Sequence, residues 1–399
     1  MSGARLSSTR LARLQDVMAR HVAGGGVPGL AWLVARRGAV HAGCAGTLDA
    51  EGSRPVGRDA IFRISSMTKP VTAVAVLRLV EDGALSLDDA VDRWLPELAD
   101  RRVLRDPAGP LDDTVPAIRP VTVEDLLTSR CGIGWDFAAD WERQPVMQEL
   151  DRLDLGAGPP RPAGPPPPDE WMRRIGTLPL SHQPGSRWLY HVAAELAGVL
   201  VSRVHGSTLD EALRAEVLDP LGMHDTGFSV APPDRARFTS CYGTDPSSGS
   251  RSVFDAPDGD WAAEPDFPSG GAGLVSTVDD YRRFASMLMG GGSVDGTRIL
   301  EPATVRTMTT DHIGGDRAAG GPSADGALGW GLGLAVQRRR DGLRPAGSYG
   351  WDGGLGSSWA NDPSTGLIGV LLTNQAWASP DPPPVVTDFW QAARAAPGG

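Results

Sequence analysis

The first 83 residues change from helical to strand-like and back to helical spacing of their apolar side chains. Residues 9–23 carry apolar side chains three or four positions apart, which predicts an amphipathic helix. Residues 28–47 form two apolar runs on either side of an Arg-Arg-Gly segment at 36–38, a pattern typical of a β-hairpin. Helical spacing returns after Ser66 and predicts a helix over 67–83 that ends at a glycine.

The segment over 88–269 has a different character, because short helical stretches alternate with long stretches rich in proline and aspartate. The helix candidates lie at 122–128, 169–175, 192–204 and 208–216. The most biased stretch, GAGPPRPAGPPPPDE at 156–170, is expected to form a stiff surface loop. We therefore predict a mostly helical region here.

After about residue 270 the pattern again indicates both helices and strands. A glycine-rich turn at 270–273 is followed by a predicted helix over 277–289, strand-like runs over 328–337, 346–351, 355–361 and 366–373, and a closing helix near 383–394. The turns between these strands are too short for crossover helices, so the strands are expected to be antiparallel.

Together these patterns predict an α/β protein of the α+β type, with a mainly antiparallel sheet flanked by helices. Residues 1–87 and 270–399 would form one α/β domain from both chain ends, and residues 88–269 would be a mostly helical inserted domain. The cleft between the two is the default location for a binding site.

Composition excludes several classes of partner. The 399 residues carry a net charge of −11 with no basic block, which disfavours binding to nucleic acid or an anionic membrane. There is no run of about 18 apolar residues and no N-terminal apolar stretch followed by a cleavage site. We therefore expect a cytoplasmic protein that acts on a small molecule, and composition does not define its oligomeric state.

Lysine is almost absent from the chain, since Lys69 is the one lysine among 38 basic residues. A guanidinium stays protonated at any usable pH, whereas burial or nearby charge can lower the pKa of an ammonium until it loses its proton. Lys69 is therefore a candidate for chemistry that arginine cannot perform. The alternative is that this lysine survives by chance.

Ser66 lies three residues before Lys69, so a helix beginning at Ser66 would place both side chains on one face. Ser-x-x-Lys is an arrangement in which a lysine helps to activate a serine nucleophile. The alternative role for Ser66 is that of a helix N-cap.

Two further elements could complete such a site. Tyr190 lies between a Pro-Gly-Ser loop and a predicted helix, where its phenol could carry a proton to a leaving group if a nearby ammonium lowered its pKa. Tyr281 lies within an amphipathic helix and is expected to pack in the core. The run GWDGGLG at 350–356 could supply backbone N–H donors to an oxyanion, or could be an ordinary glycine-rich turn.

Other catalytic arrangements are missing from the sequence. There is no G-x-S-x-G elbow, no H-x-x-x-H pair, no C-x-x-C pair, no phosphate-binding G-x-x-x-x-G-K-[ST] loop and no strand-flanked G-x-G-x-x-G. These absences argue against a Ser-His-Asp hydrolase, a zinc site and a nucleotide cofactor. We expect neither a metal nor a cofactor.

In this order along the chain, the three elements resemble the serine β-lactamase and penicillin-binding-protein-like superfamily, and most closely its class C-like family VIII esterases. The resemblance covers nearly the whole chain. Its main segments are FRISSMTKPVTAVAVLRLVEDGALSLDDAV, LPLSHQPGSRWLYHVAAELAG and YGWDGGLGSSWANDPSTGLIGVLLTNQ. It implies a β-lactamase/transpeptidase-like fold.

The resemblance also implies a role for each matched residue. Ser66 would be the acyl-accepting nucleophile, and Lys69 would depress the pKa of the base or share its proton. Tyr190 would act as the general base and then as the acid. The N–H groups of Ser66 and Gly354 would form the oxyanion hole, and water would hydrolyse the acyl-enzyme.

Two departures from the family pattern bear on the substrate. Val192 stands where β-lactamases commonly carry asparagine, and Trp351 replaces the lysine of a Lys-Thr-Gly motif. The change at Trp351 removes a cation that would hold a carboxylate, which favours neutral esters over β-lactams or D-Ala peptides. Trp351, Asp352, Gly353 and Val192 are the expected substrate contacts, and Asp352 could instead contact a cationic acyl group.

The expected activity is therefore that of a carboxylesterase acting on short or medium acyl esters. An acyltransferase that uses the same acyl-enzyme and a weak β-lactamase remain open alternatives. A catalytically silent ligand-binding relative is the alternative outside enzymes, and the intact Ser66, Lys69 and Tyr190 argue against it.

Overall fold

The computed structural model describes residues 6–52, 54–156, 158–245, 247–314, 320–340 and 343–396. In this part of the chain the α-helices are α1 Ser8–Ala23, α2 Thr68–Glu81, α3 Val123–Leu127, α4 Pro145–Arg152, α5 Pro168–Ile175, α6 Val192–His205, α7 Leu209–Leu213, α8 Asp219–Leu221, α9 Val278–Met289, α10 Pro302–Met308 and α11 Pro384–Ala395. Short 3-10 turns lie between several of them, and a π-helical turn joins α7 to α8.

The strands of the same part of the chain are β1 Gly29–Arg36, β2 Ala39–Gly46, β3 Phe62–Arg63, β4 Arg102–Leu104, β5 Thr114–Pro116, β6 Cys241–Thr244, β7 Arg251–Asp255, β8 Val275–Ser276, β9 Ser293–Val294, β10 Thr297–Arg298, β11 Leu328–Trp330, β12 Ala335–Gln337, β13 Tyr349–Gly353, β14 Ser357–Asp362 and β15 Leu367–Thr373. Seven of them form the large sheet in the order β11-β12-β13-β14-β15-β1-β2, and each neighbouring pair is antiparallel. The fold is therefore mixed α/β with a large antiparallel sheet, as predicted.

The large sheet joins the two ends of the chain and separates two layers of helices. Strand β1 pairs with β15, and Leu33 lies opposite Val370. Side chains of β1 alternate between the two faces, so Leu33 packs in the main core with α2 and α9. Its neighbour Trp32 packs on the other face with α1 and α11. This alternation explains why β1 is buried along almost its whole length.

The predicted helices and the N-terminal hairpin are confirmed to within a few residues at each end. The run over 328–337 was expected to be one strand and instead forms β11 and β12, because the chain reverses at 331–334 around Gly333, whose φ is +81°. Strand β13 extends beyond the predicted 346–351 to Gly353, so the first half of the expected 350–356 turn is strand. The sequence patterns did not predict α4 or α10.

The chain over 88–269 contains helices α3 to α8 and the small sheets β4–β5 and β6–β7. Helix α6 packs against α2 and α3. Gly198 on α6 lies against the turn at 270–273, since a Cβ on Gly270 would be only 2.9 Å from the Cα of Gly198. This packing brings the start of α6 to the start of α2. The division into two domains stays a prediction.

The described residues form neither a membrane-spanning helix nor a metal-binding cluster. None of the described helices is both long and apolar enough to cross a membrane. Among the described side chains, no three His, Cys, Asp or Glu residues are grouped so that they could hold a metal ion.

Neighbouring glycines of the 350–356 run allow a matched test of packing near the start of α2. A Cβ on Gly353 would lie 2.3 Å from the carbonyl oxygen of Ile64, whereas a Cβ on Gly354 would meet nothing within 4 Å. We expect Gly353→Ala to lower the free energy of unfolding by about 1–3 kcal/mol through overpacking. Gly354→Ala should leave it nearly unchanged. Urea unfolding of both variants checks this, and equal losses would contradict the packing shown for Gly353.

Candidate active site

Ser66 lies in a strained turn that leads into α2. The 3-10 turn Ser65–Met67 precedes the helix, which begins at Thr68, one residue after the predicted start. Ser65 has a φ of +45°, a left-handed conformation that is uncommon for a residue other than glycine. Backbone strain of this kind persists where the surrounding structure holds it, often at functional sites. Ser66 is 8% exposed, which leaves part of it accessible.

Lys69 lies in the first turn of α2, directly beside Ser66. Its Nζ is 3.1 Å from the Ser66 Oγ, and it also contacts the carbonyl oxygen of Gly271 at 2.7 Å and the Nδ1 of His191 at 3.2 Å. Burial lowers the pKa of Lys69 to about 7, although the negative charge of Glu195 opposes this change. The single lysine of the chain is therefore partly neutral near pH 7, as the sequence argument required.

Tyr190 is held just before α6, where its backbone forms a β-bridge with Trp135. Its phenol oxygen accepts a hydrogen bond from the Trp351 Nε1 at 2.8 Å and is hydrogen-bonded to the Ser66 hydroxyl. The Nζ of Lys69 lies 4.5 Å from the centre of the Tyr190 ring. The structure thus brings together Ser66, Lys69, Tyr190 and Trp351, which come from three distant segments of the sequence.

The protonation state of Tyr190 differs from the expectation. Burial raises the pKa of Tyr190 to about 12, and its hydrogen bonds with Ser66 and Trp351 offset only part of this rise. The lowering that a nearby ammonium could have caused is not found, because burial outweighs the other influences on the pKa of this phenol. Tyr190 is accordingly a neutral phenol that can donate a proton.

Aromatic rings surround the Tyr190 phenol and form one wall of the site. Trp351 and Trp330 meet edge to face with their centres 4.8 Å apart, and Trp188 stacks on Tyr190 at 5.6 Å. Phe137 contacts Tyr190 at 5.1 Å and is 45% exposed at the rim. Trp188 and Trp330 are almost fully buried, so Phe137, Tyr190 and Trp351 are the rings that apolar groups of a ligand could contact.

The two backbone groups expected to form the oxyanion hole belong to segments that pack together. Gly353 touches the turn that carries Ser66, and the Oγ of Ser357 donates to the carbonyl oxygen of Ile64 at 2.8 Å. Within the described residues, neither the Ser66 N–H nor the Gly354 N–H donates to a backbone or side-chain acceptor. Both N–H groups therefore retain their hydrogen-bonding capacity, and their joint role stays a prediction.

The other expected substrate contacts are less accessible. The Asp352 carboxylate pairs with Arg344 at 2.7 Å and accepts from the Ser358 hydroxyl at 2.6 Å, so it is already engaged by the protein. Val192 is 2% exposed and packs in the main core. Gly353 is also buried. Of the four predicted substrate contacts, Trp351 is the side chain that lies beside the Tyr190 phenol.

Sequence reasoning missed the pair formed by His191 and Glu195. The His191 Nε2 is 3.1 Å from the Glu195 Oε1, and its Nδ1 faces Lys69. His191 was considered only as one of seven histidines without metal-ligand spacing. The usable signal was local, because residues four apart at the start of a helix share a face and His191 directly follows Tyr190.

The proline-rich loop lies next to this pair. Residues 156, 158–162, 164 and 165 line a cavity of about 320 Å³ that His191, Glu195 and Ser269 also line. Ala157 is outside the described residues. The loop therefore lies next to Glu195 and next to His191, which contacts Lys69, whereas Ser66 does not line this cavity.

The pKa of Lys69 predicts the pH dependence of nucleophile activation. A group with a lowered pKa serves as a base above that pKa and is protonated below it, so Ser66 loses its proton acceptor as the pH falls through about 7. We expect kcat/KM for an ester to rise with pH to a plateau, with an apparent pKa near 7. A pH–rate profile with a stable neutral substrate checks this, and a flat profile from pH 5 to 9 would contradict it.

The chain matches a known protein family and known relatives over most of its length. The family model described as Beta-lactamase matches residues 14–387. An uncharacterized protein of Mycobacterium tuberculosis (strain CDC 1551 / Oshkosh) is 40% identical over 82% of this chain and 80% of its own length. Esterase EstB of Burkholderia gladioli is 33% identical over 86% of this chain and 85% of its own length.

A solved structure shows the same fold. The structure titled "EstCE1, a hydrolase with promiscuous acyltransferase activity" superposes with a TM-score of 0.78 and 28% identity, covering 96% of this chain and 98% of that one. The family match, the identity to EstB and this superposition each span most of the chain. The chain therefore belongs to the Beta-lactamase family and is a serine hydrolase or acyl-transferring enzyme of that fold.

Proposed function

We propose that this protein is a carboxylesterase that cleaves neutral esters through an acyl-enzyme on Ser66. The observation that carries the proposal is the buried Lys69 amine, whose Nζ lies 3.1 Å from the Ser66 Oγ and whose pKa is lowered to about 7. A neutral amine at this distance is a proton acceptor for the serine hydroxyl.

Acylation follows from the positions of the three side chains. The Ser66 Oγ attacks the ester carbonyl and its proton passes to the Lys69 amine, while the Ser66 and Gly354 N–H groups stabilise the oxyanion. When the C–O bond breaks, the Tyr190 phenol donates its proton to the departing alkoxide. The Lys69 ammonium then supplies the proton that restores the phenol, so Ser66 is acylated and the alcohol leaves neutral.

Deacylation uses the same groups in reverse. A water molecule takes the place of the alcohol and attacks the acyl carbonyl. Its proton reaches the neutral Lys69 amine through the Tyr190 phenol, and the Ser66 oxygen recovers a proton as it departs. No net proton is gained or lost by the protein, apart from ionisation of the carboxylic acid product.

The wall of the site favours neutral, apolar substrates. Trp351 occupies the position where a lysine would hold a substrate carboxylate, and its ring lies among Trp330 and Tyr190. Asp352 is paired with Arg344, so it offers no open charge to a ligand. The name of EstB, an esterase with 33% identity, supports an ester as the substrate.

Acyl transfer is the second candidate function. It is favoured by the similarity to EstCE1, whose title describes a hydrolase with promiscuous acyltransferase activity. Both reactions share the acyl-enzyme and differ only in whether water or an alcohol accepts the acyl group. The aromatic wall next to Tyr190 could hold an apolar alcohol against the acyl group.

The proposal is tested by incubating the protein with p-nitrophenyl butyrate, with and without added benzyl alcohol. We expect p-nitrophenol release, a butyryl adduct on Ser66 in intact and peptide mass spectra, and neither in Ser66→Ala. Butyric acid as the main product supports the esterase, and benzyl butyrate as the main product supports the acyltransferase. An absence of both release and adduct with a range of neutral esters would overturn the proposal.

A further inference from the structure

Lys69 is connected to a second set of buried groups on the side away from Ser66. The Lys69 Nζ lies 3.2 Å from the His191 Nδ1, and the His191 Nε2 lies 3.1 Å from the Glu195 Oε1. Ser269 donates its hydroxyl to the same Glu195 oxygen at 2.6 Å. These contacts extend the catalytic arrangement into a continuous chain of hydrogen bonds.

We propose that His191 and Glu195 are positioning residues that hold the Lys69 amine with its lone pair directed at Ser66. This inference rests on the proposed function, because it assigns how the base of that reaction is oriented. Neither residue is placed to touch the substrate carbonyl, so both act through Lys69.

The number of hydrogen bonds at Lys69 supports the assignment. A neutral amine has two N–H donors and one lone pair. The Gly271 carbonyl oxygen at 2.7 Å takes one N–H, and the His191 Nδ1 takes the other. The remaining neighbour is the Ser66 Oγ at 3.1 Å, so the lone pair is left to accept the serine proton. Without the acceptor on His191, the amine could rotate and donate to Ser66 instead.

Glu195 fixes the tautomer that this arrangement needs. The His191 Nδ1 accepts only when the ring proton is on Nε2, and a carboxylate facing Nε2 requires that proton. Burial and the neighbouring Lys69 lower the pKa of His191. Burial by itself would raise the pKa of Glu195, but the contacts with His191 and Ser269 outweigh it and the pKa is lowered. A neutral imidazole beside a charged carboxylate is therefore the resting state.

The backbone is shaped to bring this pair against Lys69. His191 has a φ of +81°, which is strained for a residue other than glycine. A Cβ on Gly271 would lie 2.6 Å from the Glu195 Oε1 and 3.1 Å from the His191 Cε1. A side chain at position 271 would therefore displace the pair, whereas the glycine leaves room for it.

The single lysine allows a direct test that does not depend on turnover. In protein labelled with 13C-lysine, one side-chain Cε resonance reports the protonation of Lys69. The titratable groups facing Lys69 are Tyr190, His191 and Glu195, and Glu195 is the charge that raises its pKa. Glu195→Gln keeps an oxygen for His191 and Ser269 but removes this charge. We expect the Lys69 titration to move to lower pH by about one unit.

The positioning role itself is measured by the rate at which a fluorophosphonate labels Ser66. We expect His191→Phe to lower this rate about tenfold, corresponding to the loss of one orienting hydrogen bond. His191→Asn should recover much of the loss, because its Oδ1 can accept from Lys69 where Nδ1 did. Melting temperatures of both variants identify any loss that comes from unfolding.

The outcomes separate this inference from the proposed function. An unchanged Lys69 titration in Glu195→Gln, or equal labelling rates in His191→Phe and the wild type, would overturn the positioning pair. A wild-type protein that labels on Ser66 but hydrolyses no ester would overturn the proposed function, and the variants at positions 191 and 195 would still decide the positioning role. If asparagine and phenylalanine at position 191 are equally slow, the acceptor role of His191 is wrong.

Discussion

Replacing Lys69 by arginine is expected to lower kcat for ester hydrolysis about 1,000-fold, to nearly the level of Lys69→Ala. A positioned general base contributes about 100- to 10,000-fold to such reactions. The guanidinium of the Lys69→Arg variant would keep the positive charge but could not lose its proton, whereas burial lowers the pKa of the lysine to about 7. The two variants therefore separate the need for a charge from the need for a base.

This prediction is checked by steady-state kinetics of wild type, Lys69→Arg and Lys69→Ala with the same neutral ester. Fluorescence melting serves as the folding control, because a larger side chain at a fully buried position can also destabilise the protein. If a folded Lys69→Arg variant kept a tenth or more of the wild-type kcat, deprotonation of Lys69 would not be required. The positive charge alone would then account for its role.

The parts of the fold that the sequence predicted well are those set by hydrophobic periodicity. Regular apolar spacing predicted helices α1, α6 and α9 and the hairpin β1–β2, because the regularly spaced apolar side chains of each element face the core. The break between β11 and β12 was not predictable in the same way, because residues 328–337 are apolar on both sides of the reversal at Gly333. The turn there depends on backbone conformation and not on polarity.

The sequence predicted which residues belong to the site, because the reaction needs particular residue types. It did not predict their pKa values or ion pairs, because those depend on contacts between distant segments. Ser66 and Lys69 are three residues apart, so their contact follows from local helical geometry. The raised pKa of Tyr190 depends on burial among rings from distant segments, which spacing cannot reveal. The Asp352–Arg344 pair also depends on how β13 packs, and it removes a carboxylate that appeared available from the sequence.

Tyr190 and Tyr281 offer a matched comparison of two buried phenols. The Tyr190 oxygen is hydrogen-bonded to Ser66 and Trp351, whereas the Tyr281 hydroxyl donates to the backbone oxygen of Met67 at 2.9 Å. Both rings are in or beside the core, and conversion to phenylalanine removes a single oxygen from each. A difference between the two variants in catalysis therefore reports the position of the oxygen and not the loss of a buried hydroxyl.

Replacing Tyr190 by phenylalanine is expected to lower kcat/KM, which reports acylation only, at least about 100-fold for ethyl butyrate, and much less for p-nitrophenyl butyrate. An ethoxide ion needs a proton in order to leave, whereas p-nitrophenolate is stable enough to leave without one, so loss of a proton donor affects the alkyl ester selectively. Tyr281→Phe should leave the ratio of the two rates unchanged. Kinetics of the three proteins with both esters check the assignment. Equal losses for both esters in Tyr190→Phe would instead show that Tyr190 takes the Ser66 proton as a general base, despite a pKa raised to about 12.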